Sequence, residues 1–456
     1  MTSHTAPAAG PAAGPAAGAP TGDHPDRSFP RLHPRPARGW VNDPNGIVFA
    51  DGRWHVFFQY NPASARHHRI HWGHVSSADL VCWEAHSIAL APQEGGPDAY
   101  GCWTGVVTLD AGTPTAVYSG VEDGSGRSQV TLARGSADLG EWTQEGVVAA
   151  GMPDDPRVVA VRDPFLFEFA GRRWAIQGAG LDTGQAALLL YGADDLAAWE
   201  YHGIWLTSEE PVAAGLPAAN VWECPQLVRS GDAWVAVVSL WRDHELTGVG
   251  HLVGSLALDE ATGLPVFSPR AHGITDLGGS FYAPQAVQAG DRVLVWGWAK
   301  EVAPPGVRGR TEQDCDAAGW SGLLTFPREL RVRDDLEGTV ELAPARELAA
   351  LRADELPGPP APAHDGAARL ALPDQAEAVL TGTGAVRLML AGATVWSGEV
   401  AEGEELRVLV DASLIEVYRS GGAATTLRAY PEGAEEYGLE LGAGVKAKAW
   451  RLAVPA

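Results

Sequence analysis

Short apolar runs separated by turn-forming residues follow one another along most of the chain. Five of these runs recur at intervals of about sixty residues, and each is typical of a β-strand because it is short, apolar and bounded by turn signals. The runs are Ile47-Val48-Phe49, Val106-Val107-Thr108-Leu109, Phe165-Leu166-Phe167, Gln226-Leu227-Val228 and Gln285-Ala286-Val287. The residues that open them are Asp43-Pro44, Trp103-Thr104, Asp163-Pro164, Glu223-Cys224-Pro225 and Tyr282-Ala283-Pro284.

A second repeat has nearly the same period. The phrase Asp-Leu-x-x-Trp occurs three times, each time between two strand-like runs, starting at Asp79, Asp138 and Asp195. Two independent series with one period predict a five-bladed β-propeller, in which every unit contributes several short strands. The innermost strand of each blade lines the central channel of such a fold. We therefore expect the acids in three of the five openings to converge on one axis: Asp43, Asp163 and Glu223.

The pattern divides the chain into four parts, namely a Pro/Ala/Gly-rich tail over 1–28, the propeller over 29–335, a linker over 336–364 and a final domain over 365–456. The linker is predicted to hold a short helix over 344–351. The final domain alternates short strands with glycine-containing turns, which is typical of a β-sandwich, and its predicted strands are 376–381, 386–390, 406–410, 415–418 and 426–430. The predicted class is all-β.

Composition and charge restrict the partners of this fold. The length of 456 residues favours two domains, and 17 Trp and 55 Gly beside three Met favour β structure. A formal net charge of −24 argues against nucleic acid and anionic membranes and fits a small neutral ligand. The four cysteines lack metal-ligand spacing, so reduced thiols and neither metal nor cofactor are expected. No signal-peptide pattern or transmembrane-length run is seen, which predicts a cytoplasmic protein.

Carboxyl groups facing each other across a pocket are what glycoside hydrolysis requires. Asp43, held by Pro44, is the candidate nucleophile, with Asn42 as a neighbouring donor that keeps a carboxylate ionised. Glu223 is the candidate acid/base, because its apolar neighbours are expected to raise its pKa. Asp163 follows Arg162, and this pairing is expected to keep Asp163 charged and suited to binding sugar hydroxyls.

These motifs resemble glycoside hydrolase family 32, which includes invertases, levanases and inulinases. The resemblance rests on Trp40-Val41-Asn42-Asp43-Pro44-Asn45-Gly46, Phe57-Phe58-Gln59-Tyr60-Asn61-Pro62, Trp72-Gly73-His74, Arg162-Asp163-Pro164, Glu223-Cys224-Pro225, Phe281-Tyr282-Ala283-Pro284-Gln285, Trp320-Ser321-Gly322 and Leu409-Val410-Asp411-Ala412-Ser413-Leu414-Ile415-Glu416-Val417-Tyr418. It implies a five-bladed propeller followed by a sandwich, and a retaining mechanism on β-fructofuranosides. Retention implies that the two catalytic carboxyl groups lie about 5–5.5 Å apart.

The same resemblance implies a fructose pocket formed by Asn42, Gln59, Trp103, Thr104, Arg162, Tyr282 and Trp298. Trp296 and Trp298 alternate on a strand, so at most one of them is expected to face the pocket. Three departures from the family pattern bear on the leaving-group side: Trp103-Thr104 where relatives have Phe-Ser, His67 where they have Trp, and Ser280 where they have Asp. His67 is predicted to contact substrate at the rim, although adjacent histidines on a loop are usually polar surface.

The predicted function is release of terminal β-D-fructofuranosyl units from sucrose or short fructo-oligosaccharides. Alternatives within the family are a fructosyltransferase and an exo-levanase or inulinase. A non-catalytic carbohydrate-binding propeller and an arabinan-cleaving propeller glycosidase are weaker, because all three acids and the sandwich signature are present. The predicted partner is a small neutral sugar, and the sandwich is a candidate surface for homo-oligomer formation.

Overall fold

The computed structural model describes residues 24–333, 338–359 and 368–455. The predicted tail lies outside the described residues up to position 23, as do two parts of the predicted linker. The regular secondary structure of the described chain is almost entirely β-strand, with one seven-residue helix, α1, at Glu312–Ala318 and 3-10 turns at Ala213–Gly215 and Arg346–Leu351. The predicted all-β class is confirmed.

The strands of the first two thirds of the chain form a series of antiparallel hairpins. In chain order they are β1 Gly39–Ala50, β2 Arg53–Asn61, β3 His71–Ser77, β4 Glu84–Ala85, β5 Gly101–Asp110, β6 Thr113–Val121, β7 Ser128–Gly135, β8 Trp142–Ala150, β9 Val158–Phe169, β10 Arg172–Leu181, β11 Ala186–Gly192, β12 Glu200–Thr207, β13 Val221–Ser230, β14 Ala233–Arg242, β15 Glu245–Leu258, β16 Pro265–Ile274, β17 Phe281–Ala289 and β18 Arg292–Ala299.

The remaining strands complete this region and build the C-terminal one. They are β19 Trp320–Ser321, β20 Leu323–Leu324, β21 Arg328–Arg333, β22 Thr339–Pro344, β23 Arg352–Glu355, β24 Ala368–Leu372, β25 Gln375–Gly382, β26 Gly384–Leu390, β27 Ala393–Val400, β28 Leu406–Asp411, β29 Leu414–Arg419, β30 Thr425–Arg428, β31 Tyr437–Leu441 and β32 Val445–Leu452.

Five sheets are formed by strands β1 to β22, with strand orders β1-β2-β3-β4, β5-β6-β7-β8, β9-β10-β11-β12, β13-β14-β15-β16 and β17-β18-β21-β22. Each of the five predicted runs lies in the first strand of its sheet. These first strands contact one another in chain order, and β17 contacts β1, so the series closes on itself. The closure is reinforced by β19, which pairs in parallel with β1 through Gly39 and Trp320.

A β-bulge interrupts each first strand at a corresponding place, where two residues face a single residue of the neighbouring strand. The bulged pairs are Asn42-Asp43, Trp103-Thr104, Asp163-Pro164, Cys224-Pro225 and Ala283-Pro284. Bulges bend a strand and redirect its side chains, and they are frequent beside active sites. The three acids differ in register: Asp43 is the second bulge residue, Asp163 is the first, and Glu223 precedes its bulge. The position of the acid relative to the bulge thus shifts by one residue from each of these sheets to the next.

The Asp-Leu-x-x-Trp repeats form the turns between the third and fourth strands of the first three sheets. In the first of them Asp79 Oδ1 accepts hydrogen bonds from the backbone N–H groups of Val81 and Cys82, 2.9 and 2.7 Å away. The leucine of every repeat is buried, with 1% exposure at Leu80, Leu139 and Leu196. The repeat is thus a local turn anchored by an apolar side chain.

The C-terminal region consists of two sheets with strand orders β23-β32-β25-β28-β29-β30 and β24-β31-β26-β27. They enclose a separate apolar core that includes Leu388, Val408 and Leu439. All five strands predicted here are present, although β30 ends at Arg428 rather than at position 430. The flanking strands β24, β27, β31 and β32 were not predicted. The expected linker helix is the 3-10 turn at Arg346–Leu351.

Two further expectations concern the whole chain. All four cysteines lie in the described ranges and are free thiols, three of them buried. Among the described residues, no helix combines the length and the apolar character needed to cross a membrane.

Candidate active site

A cavity of about 380 Å³ opens on the axis of the ring of first strands, at the end where these strands begin. Ten of the eleven residues predicted from sequence line it, namely Asn42, Asp43, Gln59, His67, Trp103, Arg162, Asp163, Glu223, Tyr282 and Trp298. The eleventh, Thr104, is buried behind Asp43 and lines no part of the cavity; its hydroxyl donates to Asp43 and accepts from Gln59. Sequence positions up to 256 residues apart therefore share one small site.

Asp43 is held by neutral hydrogen-bond donors. Its Oδ2 accepts from Thr104 Oγ1 at 2.5 Å and from Gln59 Nε2 at 2.9 Å. Its Oδ1 accepts from Asn42 Nδ2 at 3.0 Å, and Trp40 Nε1 in turn donates to Asn42 Oδ1 at 2.8 Å. These contacts fix the carboxyl group while leaving Oδ1 with one donor.

The surroundings of Asp43 have opposing effects on its pKa. Burial raises the pKa of Asp43 to about 6, and the nearby charge of Glu223 acts in the same direction. The hydrogen bonds from Thr104, Asn42 and Cys224 favour the ionised form and limit that rise. The carboxyl group of Asp43 therefore gains or loses its proton in the mildly acidic range, about one pH unit below neutral.

Glu223 has charged and phenolic partners instead. Arg162 Nε donates to Oε1 at 2.8 Å, and the Tyr282 hydroxyl donates to Oε2 at 2.7 Å. The guanidinium of Arg162 also lies over the ring of Trp241, 5.8 Å from its centroid. The expectation that Arg162 pairs with its neighbour Asp163 is wrong, because the bulge at Asp163-Pro164 breaks the register and Arg162 reaches across to the next sheet.

Asp163 is held through its backbone as well as through its side chain. Its backbone has a φ of 60°, a left-handed conformation that is uncommon for residues other than glycine. Its N–H donates to Ser119 Oγ at 2.8 Å, and its Oδ2 accepts from the Cys224 N–H at 2.9 Å. Burial and then the charge of Glu223 raise the pKa of Asp163, and Arg162 offsets only part of this. The expectation of a carboxylate kept charged by direct pairing with Arg162 is therefore not met.

Cys224 was predicted only as an apolar neighbour of Glu223. Its thiol lies 3.7 Å from Asp43 Oδ2 and 3.5 Å from Asp163 Oδ2, so it stands between two acids. Burial and then the neighbouring carboxylates raise its pKa well above the usual value, and the thiol stays protonated. Its position in the third acidic opening was the one signal in the sequence.

Aromatic rings form the wall of the cavity. Trp40 lies 5.5 Å from Trp298 and 6.1 Å from His67, while His67 lies 5.6 Å from Trp103, measured between ring centroids. Trp298 lines the cavity and Trp296 is fully buried in the sheet, as the alternation of a strand requires. Flat apolar rings beside polar donors suit the C–H faces and hydroxyl groups of a sugar.

The β14–β15 hairpin also contributes to the site, although no sequence motif predicts it. Trp241, His244 and Leu246 from this hairpin line the cavity, and Asp243 and His244 turn it with φ values of 50° and 71°. The hairpin lies outside every motif, so nothing local marked it. Ser280, a departure from the family pattern, does not line the cavity, and its hydroxyl donates to the carbonyl of Val302 at 2.6 Å.

Three carboxyl groups in a sugar-sized cavity on an all-β fold are typical of glycoside hydrolases. The sequence model of the "Glycosyl hydrolases family 32 N-terminal domain" matches residues 33–343. The chain belongs to glycoside hydrolase family 32.

Individual relatives agree with this assignment. The chain is 32% identical over 339 residues to a raffinose invertase of Escherichia coli, covering 71% of this chain and 66% of the relative. It is 29% identical over 345 residues to a sucrose-6-phosphate hydrolase of Zymomonas mobilis, covering 72% of this chain and 64% of the relative. The match thus spans slightly less than two thirds of either relative's length. The structure of a GH32 β-fructofuranosidase from Bombyx mori has the same fold, with a TM-score of 0.76 and 24% identity over 94% of this chain and 95% of that one.

Proposed function

We propose that this protein is a retaining β-fructofuranosidase that releases terminal fructosyl units from sucrose or short fructo-oligosaccharides. The observation that carries the proposal is the difference between two acids in one cavity. Asp43 is surrounded by neutral donors, whereas Glu223 is held between Arg162 and Tyr282. Different surroundings of two carboxyl groups are what separate a nucleophile from an acid/base.

In the proposed first step, Asp43 attacks the anomeric carbon while Glu223 protonates the departing oxygen. Asp43 Oδ2 already accepts from Thr104 and Gln59, so Oδ1, with one donor, is the oxygen with a lone pair free for attack. Glu223 then takes a proton from water, which attacks the fructosyl-enzyme and restores Asp43. The carboxyl separation of about 5–5.5 Å that retention requires remains a prediction.

Asp163 is proposed to bind fructose hydroxyls. Cys224 occupies its Oδ2 through both the backbone N–H and the thiol, while no described residue donates to Oδ1. A sugar hydroxyl can donate to that oxygen, and the bond would strengthen as positive charge develops on the ring in the transition state. Asn42, Gln59 and the aromatic wall are proposed to hold the remaining groups of the fructosyl unit.

The architecture that supports this site is proposed to be a five-bladed β-propeller followed by a β-sandwich. Five sheets whose first strands contact one another in a closed series support the blade count. The separate core of the C-terminal strands supports a second domain. Its boundary is proposed to lie between β22, the last strand of the fifth sheet, and β23, which pairs with β32 of the C-terminal sheet. Assembly of copies through the sandwich remains a prediction.

The substrate class follows from the relatives and from the rim. Proteins similar to this chain are named raffinose invertase, sucrose-6-phosphate hydrolase and fructan 1-exohydrolase. A small cavity with one aromatic wall supports a short neutral substrate such as sucrose. A phosphorylated sucrose is the second candidate, because two exposed residues with basic side chains, His68 and Arg69, directly follow His67 of the cavity wall in the chain.

The test is a product analysis with sucrose, sucrose 6-phosphate, 1-kestose, inulin and levan. We expect free fructose from sucrose and kestose, slower release from the polymers, and first-formed β-fructose by proton NMR. Transfer products longer than the substrate would favour a fructosyltransferase, and a preference for sucrose 6-phosphate would favour the second candidate. No release of fructose from any of the five substrates would contradict the proposal.

A further inference from the structure

Lys300 is an unusual cation in this chain. It is one of only three lysines beside 30 arginines, and the other two, Lys446 and Lys448, are exposed on the C-terminal sheets. Lys300 directly follows β18 and is 9% exposed. Its ammonium donates to the backbone carbonyl of Leu246 at 2.6 Å, and no carboxylate of the described chain pairs with it. A buried ammonium without a counter-charge is costly and calls for an explanation.

The ammonium lies against a residue of the active site. Lys300 Nζ is 5.1 Å from the centroid of the Tyr282 ring, and the Tyr282 hydroxyl donates to Glu223 Oε2 at 2.7 Å. Arg162 holds the other oxygen of Glu223. Lys300 does not line the active-site cavity itself, so it cannot be a substrate ligand there. It lines a neighbouring cavity of about 770 Å³, which shares Leu246 with the active-site cavity and gives the ammonium access to solvent.

We propose that Lys300 is a positioning residue that acts on Glu223 through Tyr282, and that its charge sets how tightly the acid/base holds its proton. The proposal rests on the proposed function insofar as it concerns catalysis. Its structural part, the effect of Lys300 on the ionisation of Glu223, can be measured without any substrate.

The physical argument has two steps. A cation near the face of a phenol withdraws electron density from the ring, so the hydroxyl becomes a stronger donor. A stronger hydrogen bond from Tyr282, together with the nearby positive charge, stabilises the ionised form of Glu223. Lys300 therefore favours release of the proton that Glu223 gives to the leaving group.

Lys300 is charged at neutral pH, as an arginine at this position would be. Burial lowers the pKa of Lys300 to about 8, whereas an arginine would stay charged over the whole working range. The other titratable groups on this side are Glu245 and Asp276, which line the same neighbouring cavity, and His244 on the adjoining hairpin. Asp276 is already paired with Arg328 at 2.7 Å. Since no described carboxylate forms an ion pair with Lys300, its charge is not neutralised beside the Tyr282 ring.

Three substitutions distinguish the effect of the Lys300 charge from that of its hydrogen bond to the Leu246 carbonyl. Lys300→Arg keeps the charge, Lys300→Gln keeps a donor for the Leu246 carbonyl but removes the charge, and Lys300→Met removes both. Lys448→Met makes the same chemical change at an exposed position and is the matched control. Melting temperatures establish that each variant is folded before it is assayed.

The experiment measures kcat and KM for sucrose from pH 4 to 10. We expect the alkaline limb of kcat/KM to move up by about 0.5–1 pH unit in Lys300→Met and Lys300→Gln, a roughly 3- to 10-fold tighter hold on the proton. Lys300→Arg and Lys448→Met should leave the limb in place, and KM at neutral pH should change little. An alkaline limb that stays in place in both Lys300→Met and Lys300→Gln would overturn the proposal. A limb that Lys300→Gln keeps at the wild-type position as fully as Lys300→Arg does would overturn it too.

A carbon-13 NMR titration of the Glu223 carboxyl, assigned by its loss in Glu223→Gln, gives the same comparison without turnover. Wild-type protein that cleaves no β-fructoside would refute the proposed function, and the titration would still decide the role of Lys300. An identical titration curve in wild type and Lys300→Met would refute that role even in an active enzyme.

Discussion

The thiol of Cys224 lies between the carboxyl groups of two residues from different sheets, 3.7 Å from Asp43 Oδ2 and 3.5 Å from Asp163 Oδ2. Burial keeps this thiol protonated, so it acts as a donor to one acid at a time. The backbone N–H of the same residue donates to Asp163 as well. Cys224 thus ties the proposed nucleophile to the proposed hydroxyl-binding acid.

Removal of this bridge should weaken catalysis moderately. We expect Cys224→Ala to lower kcat/KM for sucrose about 2- to 10-fold, the effect of one lost hydrogen bond, because Asp43 loses a donor that favours its ionised form. Cys224→Ser keeps a donor at this position and should lose less. Steady-state kinetics on both variants, with melting temperatures as a check of folding, test this. Equal losses in the serine and alanine variants would mean that the thiol fills space only.

The acidic limb of activity should report on Asp43. Its pKa lies at about 6 and its nucleophilic form is the ionised one, so kcat/KM is expected to fall as the pH drops through that value. Thr104→Val removes the donor 2.5 Å from Oδ2 while keeping the volume of the side chain. The ionised form then loses a charge-assisted hydrogen bond, and the limb should move up by about one pH unit or more.

The matched control for this prediction is Thr104→Ser, which retains the hydroxyl group. We expect its acidic limb to stay within a few tenths of a unit of the wild-type one. The pH profile of kcat/KM for sucrose from pH 3.5 to 7.5 is the measurement. An unshifted limb in Thr104→Val would show that the carboxyl group titrated in this range is not Asp43.

Much of this site was predictable because its parts are local. The five strand openings carry their own turn and proline signals, and the sixty-residue spacing brings residues as distant as Asp43 and Tyr282 to one cavity. The family resemblance added Gln59 and Trp298, which local patterns alone leave among ordinary strand residues.

The rest depends on contacts that the local sequence does not encode. Arg162 and Asp163 are adjacent in the chain, yet the bulge separates their side chains and Arg162 pairs with Glu223 of the next sheet. His244 reaches the cavity through the path of a hairpin, which no motif marks. Strand β24 was missed because its pairing with β31 is made across a sequence separation of about seventy residues.

Substitution of either acid of the proposed pair should abolish turnover and leave the fold intact. We expect Asp43→Asn and Glu223→Gln to lower kcat for sucrose by several orders of magnitude, because each removes one of the two carboxyl groups that the mechanism requires. The variants should differ with an aryl β-fructofuranoside whose leaving group needs no proton. On that substrate Glu223→Gln should recover much of the first step, whereas Asp43→Asn should recover none. Near-normal sucrose turnover in either variant would contradict the assignment.

A buried histidine that does not line the cavity, His33, should make stability depend on pH. His33 Nδ1 lies 2.8 Å from Asp411 Oδ2, and Nε2 lies 3.6 Å from Glu416 Oε1, with all three side chains buried where the N-terminal segment meets the C-terminal sheets. Burial disfavours the imidazolium, but the two carboxylates outweigh burial and raise the pKa of His33. The stabilisation is therefore complete below the unfolded value of about 6.5 and is lost as the pH rises through the higher folded value.

We expect the melting temperature of the wild type to fall between pH 6.5 and 9, and the fall to be smaller in His33→Asn, which keeps a polar group near the position of Nδ1 but cannot be charged. At pH 6 the variant should be less stable by about 1.5–3 kcal/mol, because Asp411 and Glu416 each lose one charged buried partner. His68→Asn, at an exposed position, controls for the general effect of pH on a chain with a net charge of −24. The measurement is the melting temperature by differential scanning calorimetry across this pH range. If the melting temperatures of the wild type and His33→Asn fall by the same amount, His33 is not charged in the folded protein.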